Sequence, residues 1–549
     1  MGQACAAVGA DHHQLVARTT DVADGLGRWS STQDQLALEV GGHVLPHQLL
    51  QVLHRVGLFL IFDRLQNLRW RVFGSVGRQC GLRYVEQIDL AVSSCRQQHG
   101  IAHGLGRQRR EVDRDQKGLR IVHVTLHPHC YHRLGLRQEV DVKTVLRARA
   151  LTPTGPDTVA WFGDAVITVI DGVIETLEDY DGRPVDADLR PDVLLPGFVD
   201  SHLHFPQSRI IGSASGPLLQ WLEKTTFPEE ERFGDTAHAA VVAKYFCDQL
   251  TRSGTTLAMV YGSVHPAASD TLLSEMHGRG LRGIVGPVLM DDNCPEALKI
   301  PVDRALPALN ELADRWHGKD GLLQVAAIPR FALSCTREML LGAGDLARAR
   351  GLWATTHLAE NPAECEVAKQ MFGTADYLAI YEEAGLVTDR SVFAHCIHLS
   401  DGEWDRFAEA GAVVAHCPDS NDFLGSGGMP LSAVQSRGIP ISIGTDVAAG
   451  RSFRVPHILA SAYDNSLRDE HPVQPARLLW WGTRGGALAL GHPQVGALEP
   501  GLEADLVQIQ VPEWVEDAAG VMASLIFDRG APPPIRTWIR GRQVAGPPL

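Results

Sequence analysis

The sequence predicts an α/β fold: a (β/α)8 barrel of the TIM type, with a small composite β-sandwich domain formed from both flanks. Three observations predict it. Short apolar strand candidates alternate with helix-like stretches, the signature of a parallel βα array. Eight strands can be counted, at 194–204, 255–262, 281–290, 322–333, 352–360, 391–398, 412–418 and 441–446, a number that suits a closed barrel. Strand-rich segments also lie on both sides of that array. KTVLRARAL (143–151) and DAVITVIDGVI (164–174, turning at Asp171-Gly172) precede it, and ADLVQIQV (504–511) and IRTWIRGRQV (535–544) follow it. The resulting division is 1–141 as an atypical extension outside the fold, 142–193 and 491–549 as the two parts of the β-domain, and 194–490 as the barrel.

Composition narrows the class. With 44% hydrophobic and 21% charged residues the chain reads as globular and soluble. A net charge of −15 argues against a nucleic-acid partner, since phosphates call for a basic surface. No apolar run approaches the ~18 residues that span a bilayer, so no membrane partner is expected, and the first residues lack a signal-peptide layout. The ten cysteines form no CxxC pair, which points to reduced thiols in the cytoplasm rather than a disulfide framework or a cysteine zinc site.

Residues 1–141 differ from the rest. They hold sixteen arginines, one lysine and eleven of the 24 histidines, with a net charge of +4 that leaves −19 for the remainder. Apart from short pieces such as 58–62, their apolar residues keep no period of 2 or 3.6. The cluster HPHCYH (127–132) has no second cluster to complete a metal site. These residues are expected to lie upstream of a true start near Val142, with a regulatory or partner-binding extension as the alternative.

The first barrel strand carries the organising stretch, DVLLPGFVDSHLHFPQ (192–207). Residues two apart on a strand project to one side, so His202 and His204 can present two imidazoles to one divalent metal. The other polar residues fall at the ends of later strands. They are Arg330 and Phe331 after strand four, His357 and Glu360 after strand five, His395 after strand six and Asp446 after strand eight. The C-terminal strand ends are where such barrels place their chemistry. Three histidines and an aspartate can hold one metal with a place left for water, whose pKa then falls to about 7. Asp446 can take the proton of that water and Glu360 can deliver protons to a leaving group. His265, His398 and His416 read as hydrogen-bonded structural residues. Trp221 and Phe227 read as core or subunit-contact residues on a loop that could cover the pocket. GSGG (425–428) reads as a turn, since it lacks the lysine of a phosphate loop.

Across roughly residues 143–545 the chain resembles the amidohydrolase superfamily and, within it, the guanine deaminases. The resemblance is carried by PGFVDSHLHFPQ, LLQWLEKTTFPEEERF (218–233), PRFALSC (329–335), THLAENPAECE (356–366), AHCIHLS (394–400), HCPDSN (416–421) and GTDVAAG (444–450). It implies that His202, His204, His357 and Asp446 bind zinc, one ion per subunit, with iron(II) as the alternative. It further implies that Glu360 shuttles protons, that His395 orients the attacking hydroxide, and that Gln207, Arg330 and Phe331 hold the purine. Asp419 and Ala449 depart mildly from the family pattern, which often has Asn and Gly there. Guanine offers O6 and N7 as acceptors, suited to an arginine or a glutamine amide. Attack at C2 would give xanthine and ammonia.

The expected function is therefore zinc-dependent guanine deamination in the cytoplasm by a homodimer. A related aminohydrolase of 8-oxoguanine, a pterin or a triazine is the alternative, and a metal-stabilised binding protein is the alternative outside catalysis. Arg330 stands where a binuclear enzyme would bring a bridging lysine, so one metal is expected.

Overall fold

The computed structural model describes residues 143–213 and 216–549 and, before them, five short strands. The chain divides into two units, Met1–Val140 and Asp141–Leu549. In the first, Trp29–Thr32, Gln35–Val40 and His43–Val44 form an antiparallel sheet, and Ala4–Cys5 pairs with Ile61–Phe62. The HPHCYH cluster lies outside the described residues.

In the second unit, eight strands follow one another in parallel register. They are Phe198–His204, Thr255–Tyr261, Arg282–Gly286, Leu323–Pro329, Trp353–Leu358, Ser391–His395, Val413–His416 and Ile441–Ile443, with Val288–Leu289 pairing beside the fourth. The first and eighth meet through Asp446 N–H to His202 O (2.8 Å) and His204 N–H to Val447 O (2.9 Å). Alternation along each strand separates two cores. On Thr255–Tyr261, for instance, Leu257, Met259 and Tyr261 join one buried cluster, while Ala258 and Val260 join the cluster that also holds helix residues such as Leu272 and Leu309.

The helices follow from their sequences. Val302–Trp316 buries Ala305, Leu309, Leu312, Ala313 and Trp316, a single face at helical spacing. Pro362–Phe372 and Asp401–Glu409 start with capping boxes at Asn361/Glu364 and Ser400/Glu403. Among the described residues no helix is long and apolar enough to cross a membrane.

The composite β-domain takes strands from both flanks. Its seven-stranded sheet runs in the order Arg542–Ala545, Arg536–Ile539, Leu506–Ile509, Ala187–Pro196, Lys143–Gly155, Thr158–Ile170, Val173–Asp179. Asp171 (φ 51°) and Gly172 (φ 83°) make the expected turn. The stretch 194–204, expected as one barrel strand, is two. At Gly197 the chain changes sheets: Gly197 N–H donates to Asp505 O, whereas Phe198 N–H donates to Gly254 O at the start of the barrel. A Cβ at Gly197 would lie 2.0 Å from Thr256 Oγ1, so the crossing closes only around glycine. Sheet and barrel are also joined by buried charge: Arg282, 1% exposed at the foot of the third strand, donates to Asp505 and Glu503.

Candidate metal centre and pocket

His202 and His204, two apart at the end of the first strand, bring their rings to 4.9 Å centroid separation at right angles. His357 ends the fifth strand and Asp446 follows the eighth. One ligand atom from each of these four residues lies within 4.8 Å of all the others. The Nε2 atoms of His202 and His204 are each 3.2 Å from Asp446 Oδ1, and His204 Nε2 is 3.3 Å from His357 Nε2. Asp446 adopts φ 48°, a left-handed conformation that costs a non-glycine residue energy and that the surrounding bonds hold in place. Asp200 supplies part of that hold by accepting from Thr445 N–H (2.9 Å) and Oγ1–H (2.5 Å) and from His202 N–H (3.3 Å).

This donor set fits a divalent cation. Burial pushes the His202 imidazole down to about 4, and burial together with the neighbouring imidazoles holds His357 well below its usual range, so both are neutral ligands. His357 Nδ1 lies 2.5 Å from Arg330 O, which places its proton on Nδ1 and leaves the Nε2 lone pair facing the cluster. His202 is fully buried, and among the described residues neither ring nitrogen makes a well-formed hydrogen bond, Nε2 having only its 3.2 Å approach to Asp446 Oδ1. A buried polar atom without a partner is costly, and a metal ion in the cluster would give Nε2, the nitrogen that faces Asp446, its partner. Three nitrogens and one oxygen leave a coordination place open.

Two proton-handling groups stand beside this set. His395, at φ 71° on the sixth strand end, has Nδ1 2.8 Å from Asn421 Oδ1. Its Nε2 lies 3.5 Å from Glu360 Oε2 and 3.9 Å from Asp446 Oδ2. Glu360 is 2% exposed, and burial pushes its carboxyl up to about 7. Ser426 Oγ–H donates to Glu360 Oε1 (3.1 Å), while Glu364 accepts from the Glu360 backbone N–H.

Gln207, Arg330 and Phe331 line the same pocket, which takes in about 380 Å³ with its open mouth included. Leu218, Trp221 and Leu222 form its outer wall. They belong to the segment after strand one, which is folded: Leu218–Trp221, a π-helix over Leu222–Thr226, Phe227–Glu230 and a 3₁₀ turn at Glu231–Gly234. Trp221 is buried in the main core cluster, as expected, and also lines the pocket, while Phe227 packs under the Arg330 guanidinium at 5.4 Å.

All nine site residues expected from the sequence therefore converge. His398 is hydrogen-bonded as expected, to Ser426 O at 2.9 Å. His416 differs, being buried with no hydrogen-bond partner on either nitrogen among the described residues, as does His265 at Nε2. Asp419, the departure in the HCPDSN stretch, accepts from Arg451 N–H, Nε–H and Nη2–H, which shapes that loop around an ion pair. Sequence reasoning missed Glu230, Asn421, Ser426 and Glu364, which hold the site residues from behind. In GSGG, Gly425 (φ 68°) caps the helix Pro418–Leu424, and Ser426 is the partner of Glu360.

Residues 193–544 match the amidohydrolase family. The guanine deaminase of Escherichia coli (strain K12) is 38% identical over 372 residues, covering 65% of this chain and 84% of that protein. The structure of guanine deaminase from C. acetobutylicum, with guanine bound in its active site, superposes with a TM-score of 0.70 at 26% identity, over 73% of this chain and all of that one. An adenosine deaminase from Xanthomonas campestris with bound zinc superposes with a TM-score of 0.65 at 26% identity, over 73% of this chain and 92% of that one.

Proposed function

The chain belongs to the amidohydrolase family, among its guanine deaminases, and from that premise we propose a division of labour for the hydrolysis of guanine to xanthine and ammonia. His202, His204, His357 and Asp446 hold a zinc ion, and iron(II) suits the same nitrogen and oxygen donors. When bound, the cation supplies Lewis acidity, which makes water a nucleophile near neutral pH. With the cation bound, Asp446 would accept the proton of that water, and His395 Nε2, 3.9 Å from Asp446 Oδ2, would orient it. Glu360 carries protons, first to a ring nitrogen next to C2 and then to the departing amine. A carboxyl pushed up to about 7 suits both halves of that task at neutral pH. Attack at C2 by water breaks the exocyclic C–N bond, so oxygen replaces nitrogen and ammonia leaves.

Arg330 and Gln207 meet the O6 and N7 acceptors of the base, and Phe331 lies against its ring. Adenine carries a donor amine at position 6, which would leave a buried donor of the protein unpaired. A cytoplasmic location suits the buried free thiols Cys247, Cys335, Cys396 and Cys417. The observation that carries the reading is the meeting of one four-residue metal set with a buried carboxyl at about 7 and a buried arginine in one pocket. Ammonia release from guanine, 8-oxoguanine, adenine and a pterin panel tests it. Guanine should be turned over well ahead of the others. A zinc-loaded protein that released no ammonia from guanine would overturn it.

A further inference from the structure

Two of the residues proposed to hold the base are gripped from behind by one carboxylate. Glu230, on the short helix Phe227–Glu230, is 5% exposed. Its Oε1 accepts from Gln207 Nε2 at 2.9 Å and from Arg330 Nη1 at 2.8 Å, and its Oε2 accepts from Arg330 Nη1 at 2.6 Å. Gln207 and Arg330 are themselves buried, at 1% and 3% exposure. We propose that Glu230 is a positioning residue that determines specificity: it fixes which hydrogen-bonding atoms of Gln207 and Arg330 are offered to the substrate. The inference rests on the guanine deaminase reading and adds to it.

The amide makes the case most clearly. Gln207 Oε1 accepts from Ala448 N–H at 3.2 Å while Nε2 donates to Glu230. Turning the amide over would set its oxygen against the Glu230 carboxylate and its NH2 against the Ala448 N–H. Both contacts would be repulsive inside a buried site, so the polarity of the amide is locked. For Arg330, Glu230 occupies Nη1 alone. Nε and Nη2 hold no hydrogen bond among the described residues and remain for acceptors in the pocket. Charge completes the argument. A guanidinium this deeply buried needs a counter-ion, and Glu230 neutralises it on the side away from the substrate. Arg330 can then offer donors to a neutral base without adding net charge to the pocket.

The experiment is a double-mutant cycle on the zinc-loaded full chain, measuring kcat and KM for guanine, zinc per chain and the thermal midpoint. Glu230→Gln should lower kcat/KM by roughly 10- to 100-fold, the scale of a lost hydrogen bond to a charged group, mostly through KM and with zinc content unchanged. In the Arg330→Met background the same substitution should cost several-fold less, because the cation it positions is gone. Losses that simply multiply, or a Glu230→Gln protein kinetically equal to wild type, would overturn the proposal. Should Glu230→Gln not fold, Glu230→Asp takes its place in the cycle, keeping the charge but reaching one partner only, with a smaller loss in KM expected. Wild-type protein inactive on guanine would overturn the functional reading as well. Wild-type activity with multiplicative losses would overturn this inference alone.

Discussion

Replacing Asn421 with leucine should slow turnover while sparing the metal set. Asn421 and His395 are 1% and 0% exposed, with Asn421 Oδ1 2.8 Å from His395 Nδ1. An amide oxygen only accepts, so Nδ1 carries the proton and Nε2 is the atom presented to Glu360 and Asp446. Leucine has a similar size but no acceptor. It would leave a buried N–H unpartnered and free the ring to turn or change tautomer. A buried N–H left unpartnered costs about 1–3 kcal/mol. Lost in the transition state, that is roughly a 5- to 150-fold fall in kcat. Asn421→Asp keeps the acceptor and removes the Nδ2 donor, which has no partner among the described residues, so it should lose far less. The assay is steady-state turnover of guanine, with zinc per chain determined on the same samples. A leucine variant with full zinc and unchanged kcat would refute the role given to Asn421.

Glu360→Gln should retain zinc and lose at least ~10²-fold in kcat, the low end for general acid–base catalysis; near-normal ammonia release would remove Glu360 from the mechanism. His492, 1% exposed, has its pKa lowered to about 4 by burial, helped by Arg282. The unfolded chain therefore takes up this proton first as pH falls. The stability tied to neutral His492 is complete above its unfolded pKa and is lost progressively from about 6.5 to 4, on the order of 2 kcal/mol at pH 5. His492→Gln should narrow the gap between thermal midpoints at pH 7 and pH 5, and an equal gap would clear His492 of that role. A chain begun at Val142 should be soluble and as active as the full chain, given that Asp141–Leu549 is a unit of its own; aggregation of the shorter chain alone would show that residues 1–141 are needed.

The barrel was legible because buried strands and amphipathic helices alternate with different periods, and because its chemistry falls at strand ends. His202, His204, His357, Glu360, His395 and Asp446 could thus be found one strand at a time. Their supporting partners could not, since each is fixed by distance in space and not by local pattern. Glu230 is 100 residues from Arg330, and Ser426 is 66 from Glu360. The split of 194–204 was hidden because Val193–Leu195 is fully buried in the flanking sheet just as Phe198–His204 is in the barrel. Only the hydrogen bonds either side of Gly197 tell the two apart. The pocket wall at 218–234 was read as a loop because its apolar positions follow a π-helix and two four-residue helices, too short to set a 3.6 period.

The central claim is that one metal ion, held by His202, His204, His357 and Asp446, serves guanine deamination. Metal titration of chelator-stripped protein, followed by conversion of guanine to xanthine, tests it most directly. Activity should be absent without metal, rise in proportion to added zinc and stop rising at one ion per chain. Full turnover by the stripped protein, or a rise that continues to two ions, would contradict the account.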